Sequence, residues 1–366
     1  MFAKPFSLAL VYILSIVNLS LLFIPFVVIG LMLNYIGGYY IPLYIFEPWL
    51  YLAIFFISLF MLLYMLADFI FGFRVQSLVK MCHDYRVDSM YKVFGDIFNE
   101  IQKKYKQKKI NLLIMESGEV NAFAVGSMRK KYIVLTLGLI KDYYEKSNYN
   151  EEKFLSAIKG VIGHEMSHLV NKDFLPGLLM TLNKDITFGI SKKFAGFLNF
   201  LVTITRPIPF VGLFSHLFIN LFFTINNIGI TFYNIVVARI HAFLKAIVSR
   251  SIEYRCDKQS AKACGGNVMG YSLSLLPGTN GYSTIFSTHP KTKKRIKKVI
   301  KIKKKRGYLS SSLITKLSNA LAIFTLVWIC AFCGNNAKVP QLVSLYYFIN
   351  YNILERFKIL YLELTI

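Results

Sequence analysis

His164-Glu165-Met166-Ser167-His168 sets two imidazoles four residues apart, with a carboxylate directly after the first. On an α-helix, positions i and i+4 share a face, so both rings can reach one Zn²⁺. Glu165, turned about 100° around the axis, stays close but off the metal. The chemistry this pattern predicts is hydrolysis of an amide. Zinc lowers the pKa of its bound water to about 7, Glu165 takes the proton, and the hydroxide attacks a carbonyl polarised by the metal. Glu165 then returns the proton to the leaving amine, and no covalent intermediate forms. A helix is expected around the motif. Asn150-Glu151-Glu152 reads as a capped, acidic N-terminus, and Phe154, Leu155, Ile158, Val161 and Ile162 form an apolar stripe leading to His164.

Catalytic zinc commonly takes three protein ligands, so a further donor is needed. The best one downstream lies between Ser249 and Asp257, where Glu253 and Asp257 share a helical face. Glu253 is expected as the third ligand, with one zinc per chain. Asp257 then lies behind it, hydrogen-bonding the free ring nitrogen of a ligand His and fixing its tautomer. Taken alone, Glu253 and Asp257 read more readily as an exposed acidic pair among Arg250, Arg255 and Lys258. The two histidines upstream reverse that preference. Gly265-Gly266 supplies a helix stop.

Four motifs in this order resemble the HtpX membrane metallopeptidases, whose core the CAAX prenyl endopeptidases share. They are Asn121-Ala122-Phe123-Ala124-Val125-Gly126, the His164–His168 motif followed by Asn171 and Asp173, Glu253-x-x-x-Asp257, and Ser287-Thr288-His289-Pro290 followed by Arg295. The resemblance runs from about residue 110 to 300. It implies a mainly α membrane protein with a zincin-type catalytic domain, a small β-sheet and four or five transmembrane helices. It also implies that Asn121, Ala122, Phe123 and Ala124 bind an extended substrate. His289 becomes a donor to the oxyanion, with Asn121 as a second candidate. Arg295 either assists His289 or holds a carboxylate such as Asp257. The substrates implied are polypeptides, membrane proteins that are misfolded or surplus among them. A specific processing protease and a non-catalytic membrane scaffold are the alternative readings.

The elements that must position these residues belong to a membrane protein. Of 366 residues, 55% are hydrophobic and 16% aromatic, with a mean hydropathy of +0.48, too apolar for an ordinary soluble domain. Residues 6–33 carry no charge and are long enough to span a bilayer core. A second span is expected from Trp49 to Phe73. Arg74 to Lys109 then carries nine basic and four acidic residues, which puts that side in the cytoplasm. The chain thus divides into an N-terminal transmembrane hairpin over 1–74, a cytoplasm-facing metallopeptidase domain over 75–306, and a C-terminal extension over 307–366. A second hairpin at about 175–238 interrupts the domain, and Leu313 to Phe332 is a candidate fifth span. The localisation expected is a bacterial inner membrane, crossed several times.

Ile110 to Met115, Val120 to Val125 and Tyr132 to Leu137 read as short strands beside the site. An exposed strand edge there can take an extended substrate by strand addition. The net charge of +24 includes eleven basic residues and no acidic ones from Lys291 to Arg306. Beside a membrane, that run points to the lipid bilayer as partner, and no nucleic acid is expected. The five cysteines have no disulfide or zinc-site spacing and are read as thiols without catalysis. Asp68 is read as a carboxylate near the membrane boundary rather than part of an ion path.

Overall fold

A computed structural model describes residues 46–87, 91–174, 199–208, 210–232, 238–276, 289–305 and 307–336, with isolated positions elsewhere. The chain is mostly helical with one small mixed sheet and divides into two compact units. The first gathers Leu66–Leu178 and Ala242–Ser318; the second gathers Phe2–Met65, Leu179–His241 and Asn319–Ile366.

In order, the elements are α1 (Phe46–Phe71), α2 (Phe73–Val79), β1 (Cys82–Asp84), α3 (Val93–Lys104), β2 (Asn111–Met115), β3 (Ala122–Gly126) and β4 (Lys131–Thr136). They continue with α4 (Leu137–Lys146), α5 (Glu151–Val170), α6 (Val211–Phe232), α7 (Ala238–Cys264), α8 (Gly266–Ser274), α9 (Thr292–Val299) and α10 (Leu313–Asn336). The strand order is β1-β2-β4-β3; β2 and β4 run parallel, and the two outer pairs are antiparallel. The inner strands are the apolar ones. Leu112, Leu113, Ile114, Ile133, Val134 and Leu135 are all buried, as strands covered on both faces require. β3 is an end strand and only half-buried along its length.

The core of the first unit forms where α5 meets α3, α4 and this sheet. Ala157, Ile158, Val161, Ile162, Met166 and Leu169 of α5 pack with Phe94, Phe98, Leu112, Ile133 and Leu139. The expected cap is present: Asn150 Oδ1 accepts from the Lys153 amide at 2.9 Å, and Glu151 and Glu152 occupy the first turn. Such a cap contributes about 1 kcal/mol. On the other side α5 comes very close to α7 and α8. A Cβ on Gly160 would lie 2.5 Å from Ser272 Cβ, and one on Gly163 would lie 2.6 Å from Ser260 Oγ. Glycine at these two positions therefore sets how near the three helices can approach.

Among the described residues, one helix, α10, is long and apolar enough to cross a membrane by itself; the number rises to two if the bent pair α1–α2 counts as one span. The expectation of four or five spans is met only to that extent. Most of the expected span over 6–33, and the arm expected from about Leu175, lie outside the described residues. The bend of 53° between α1 and α2 falls at Gly72, whose φ of +70° suits glycine. Buried Asp68 accepts a hydrogen bond from the Arg74 amide across this bend, a structural use of its carboxylate. Within the second unit, the Tyr12 hydroxyl donates to the Ser58 carbonyl at 2.7 Å.

Candidate metal centre

α5 and α7 bring together residues 89 positions apart. His164 Nε2 and His168 Nε2 stand 3.1 Å from each other, and Glu253 offers Oε2 at 3.5 Å from the first and Oε1 at 3.8 Å from the second. Four ligands held tetrahedrally at about 2.0–2.1 Å lie about 3.3–3.4 Å from one another. The observed triangle brackets that spacing, and its two imidazoles and one carboxylate are a donor set suited to zinc. Glu253 and Asp257 are only 6% and 1% exposed, which removes the reading of them as a surface acidic pair.

Each ring presents Nε2 to the common point and Nδ1 to a carboxylate behind it. His164 Nδ1 lies 2.9 Å from Asp257 Oδ1, an ion-pair approach without the alignment of a good hydrogen bond. His168 Nδ1 lies 3.1 Å from Asp173 Oδ2. An arginine backs each carboxylate in turn. Arg295 donates from Nε and Nη2 to both oxygens of Asp257 at 2.7 Å and reaches Glu253 Oε2 at 2.9 Å. Arg255 pairs with Asp173. Of the two expectations for Arg295, the geometry has the one in which it holds a carboxylate: its side chain is buried on Asp257 and Glu253.

The electrostatics favour a cation. Burial alone would lower the His164 pKa, yet Asp257 and Glu253 raise it to about 10. His168 is likewise held above its ordinary value against its burial, by Cys256 and Asp173. A field that draws protons onto buried imidazoles also draws a divalent ion. Glu165 is raised mainly by its own burial, with the two histidines pulling partly the other way. Glu165 therefore sits beside the ligand triangle with a proton affinity above that of an ordinary carboxylate.

His164, Glu165, His168 and Glu253 line one cavity of about 580 Å³. Asn121, Ala122, Phe123 and Ala124 contribute one wall; His289 stands at another, its side chain 64% exposed and its Nδ1 3.5 Å from Glu253 Oε2. The β3 wall is pinned at its start by Thr136. Its hydroxyl accepts from the Asn121 amide at 3.0 Å, and its backbone amide donates to the Asn121 carbonyl at 3.1 Å. Because β3 ends the sheet, one of its edges has no strand partner among the described residues. Ser287 and Thr288 of the expected His-Pro motif lie outside those residues.

Three neighbours of His168 went unassigned at the level of sequence: Asp173, Arg255 and Cys256. The Cys256 sulfur lies 3.5 Å from His168 Nδ1 and 3.6 Å from Asp173 Oδ2. Two signals were legible. Asp173 follows His168 by five residues, and Cys256 stands three after Glu253, on a neighbouring part of the same helix face.

Residues 93–303, more than half of the chain, match the profile of peptidase family M48. A protein named Protease HtpX homolog from Aquifex aeolicus is 24% identical over 243 residues, covering 58% of this chain and 72% of that one. Another of the same name from Methanopyrus kandleri is 26% identical over 211 residues, covering 50% and 56%. The matched part thus spans between about half and seven tenths of these relatives. A solved structure of S. mikatae Ste24p aligns over 76% of this chain and 66% of its own, at 17% identity and a TM-score of 0.37.

Proposed function

The chain belongs to peptidase family M48, and on that premise we propose that it is an integral membrane zinc endopeptidase that cuts misfolded or surplus membrane proteins at the cytoplasmic face. The observation that carries the reading is the triangle of His164, His168 and Glu253 with buried Glu165 beside it. His164, His168 and Glu253 would hold the zinc ion, which would supply Lewis-acid chemistry toward a water and a peptide carbonyl.

The remaining work falls to the chain. Glu165 accepts the proton of the attacking water and passes it to the leaving nitrogen, a task suited to its raised proton affinity. The edge of β3 that has no strand partner among the described residues receives the substrate as an added strand, so that backbone hydrogen bonds hold it with little regard to sequence. His289, exposed at the rim of the cavity, donates to the oxygen on which negative charge develops, with Asn121 as the second donor. Asp257 and Arg295 hold His164 and Glu253 in place. The cytoplasmic orientation is supported by the excess of basic residues between Arg74 and Lys109.

The test compares wild type with Glu165→Gln, both purified in detergent without chelator, with zinc supplied and an unfolded protein as substrate. Equal metal content is expected, with turnover in the variant lower by about 10²–10⁴-fold. Near-normal cleavage by the variant would remove Glu165 from the mechanism. Wild type that binds zinc but cleaves no unfolded protein would overturn the quality-control role.

A further inference from the structure

The metal-holding residues use only one side of α9. Arg295 and Val299 are buried, the first on Asp257 and Glu253, and Ile302 follows on the same side. The opposite side is a continuous row of lysines. Lys293, Lys294, Lys297 and Lys301 are exposed and make no ion pair among the described residues, while Lys298 lies over the Tyr254 ring at 3.5 Å. Spacings of i, i+1 and i+4 put Lys293, Lys294 and Lys297 on a single helical face, and Lys301 follows in the turn just past the helix end. No acidic residue interrupts the run from Lys291 to Arg306; within it Arg295 is taken by Asp257 and Glu253, and Lys304 meets Glu100 at 3.3 Å.

We propose that this outer face of α9, continued through Lys301 and Lys303, is a binding surface for the headgroups of anionic lipids and holds the metal-site unit against its own membrane. Two features select a membrane over other polyanions. The lysines are followed at once by exposed apolar side chains, Ile300, Tyr308, Leu313 and Ile314. The last two begin α10, the one helix among the described residues that by itself is long and apolar enough to cross a bilayer. Basic residues that shortly precede such a helix in the chain are drawn to an anionic lipid surface, and each positive side chain within a Debye length of it adds to the attraction. Nucleic acid would need base-stacking or groove-reading elements, and Tyr308 is already engaged by the Lys106 ammonium at 4.0 Å.

Full-length protein, delipidated in detergent, is titrated with phosphatidylglycerol or phosphatidylcholine, and bound lipid is counted by native mass spectrometry. The wild type should retain phosphatidylglycerol at least about tenfold better than phosphatidylcholine. The variant K293Q/K294Q/K297Q/K301Q should lose most of that preference, and the corresponding Lys→Arg variant should keep it. Zinc content serves as the check that the Gln variant is folded, since Arg295 and the ligands are untouched. An unchanged preference in the Gln variant would overturn the proposal. So would loss of lipid to millimolar inorganic phosphate, which would mark a free-phosphate site. Retention of a short RNA that phosphatidylglycerol cannot displace would overturn it in favour of nucleic acid.

Discussion

Two histidines with the same chemistry are supported by two different pairs. His164 leans on Asp257, which Arg295 grips with both its donors; His168 leans on Asp173, which Arg255 holds from α7. In each case a carboxylate facing Nδ1 favours the tautomer that leaves the Nε2 lone pair for the metal, and the arginine keeps that carboxylate charged. Asp257 shows the second effect: burial would raise its pKa, but Arg295 and His164 hold it below the ordinary value. Asp173→Asn keeps the size and an accepting oxygen while removing the charge that both His168 and Arg255 use. Zinc affinity of that variant, measured by competition with a chelating dye, should fall by about 10–100-fold. If affinity stays at the wild-type value, Asp173 only packs against the ring and has no part in orienting it.

Among elements, the decisive contact is the approach of α5 to α7 and α8. The proposed third ligand, Glu253, stands on α7, so the distance between helices decides whether its carboxylate meets the two rings. Small side chains make that distance short: Gly160 and Gly163 face Ser272, Ser260 and Cys264. The Ser260 hydroxyl donates to the Gly160 carbonyl at 3.0 Å and the Cys264 thiol to the Lys159 carbonyl at 3.4 Å, stitching the helices along the same seam. Gly160→Ala would put a methyl group 2.5 Å from Ser272 Cβ, so the helices must part. Overpacking of this kind costs about 1–3 kcal/mol. Alanine's better helix propensity returns about 1 kcal/mol of it at most. The thermal midpoint of Gly160→Ala should therefore drop, and its zinc content should drop with it. A midpoint equal to or above wild type would mean the seam can relax without cost.

For the whole molecule, the question is how the chain sits in a membrane. α10 is proposed to cross it, so reporters fused after Ser310 and after Asn336 should read opposite sides, with the Ser310 fusion cytoplasmic. Reporters on the same side would place α10 along the interface instead. Much of the site was legible in the sequence. His164, Glu165 and His168 lie within a single helical turn and a half, so their mutual placement follows from helix geometry alone. The Asn150 cap, the three strands to within a residue or two and the stop at Gly265 are also local, set by side chains acting on their own backbone. Periodicity likewise put Glu253 and Asp257 on one face. Their burial was not legible, because whether an acidic pair meets water or two histidines depends on what packs over it. Only tertiary structure decided that Arg295 serves Asp257 and Glu253, that Arg255 and Cys256 belong beside His168, and that two glycines set the helix spacing. Each of these pairs residues some 80 to 110 positions apart or places a side chain against another helix. Sequence spacing carries no record of such contacts, because they exist only once α5, α7, α8 and α9 share a core.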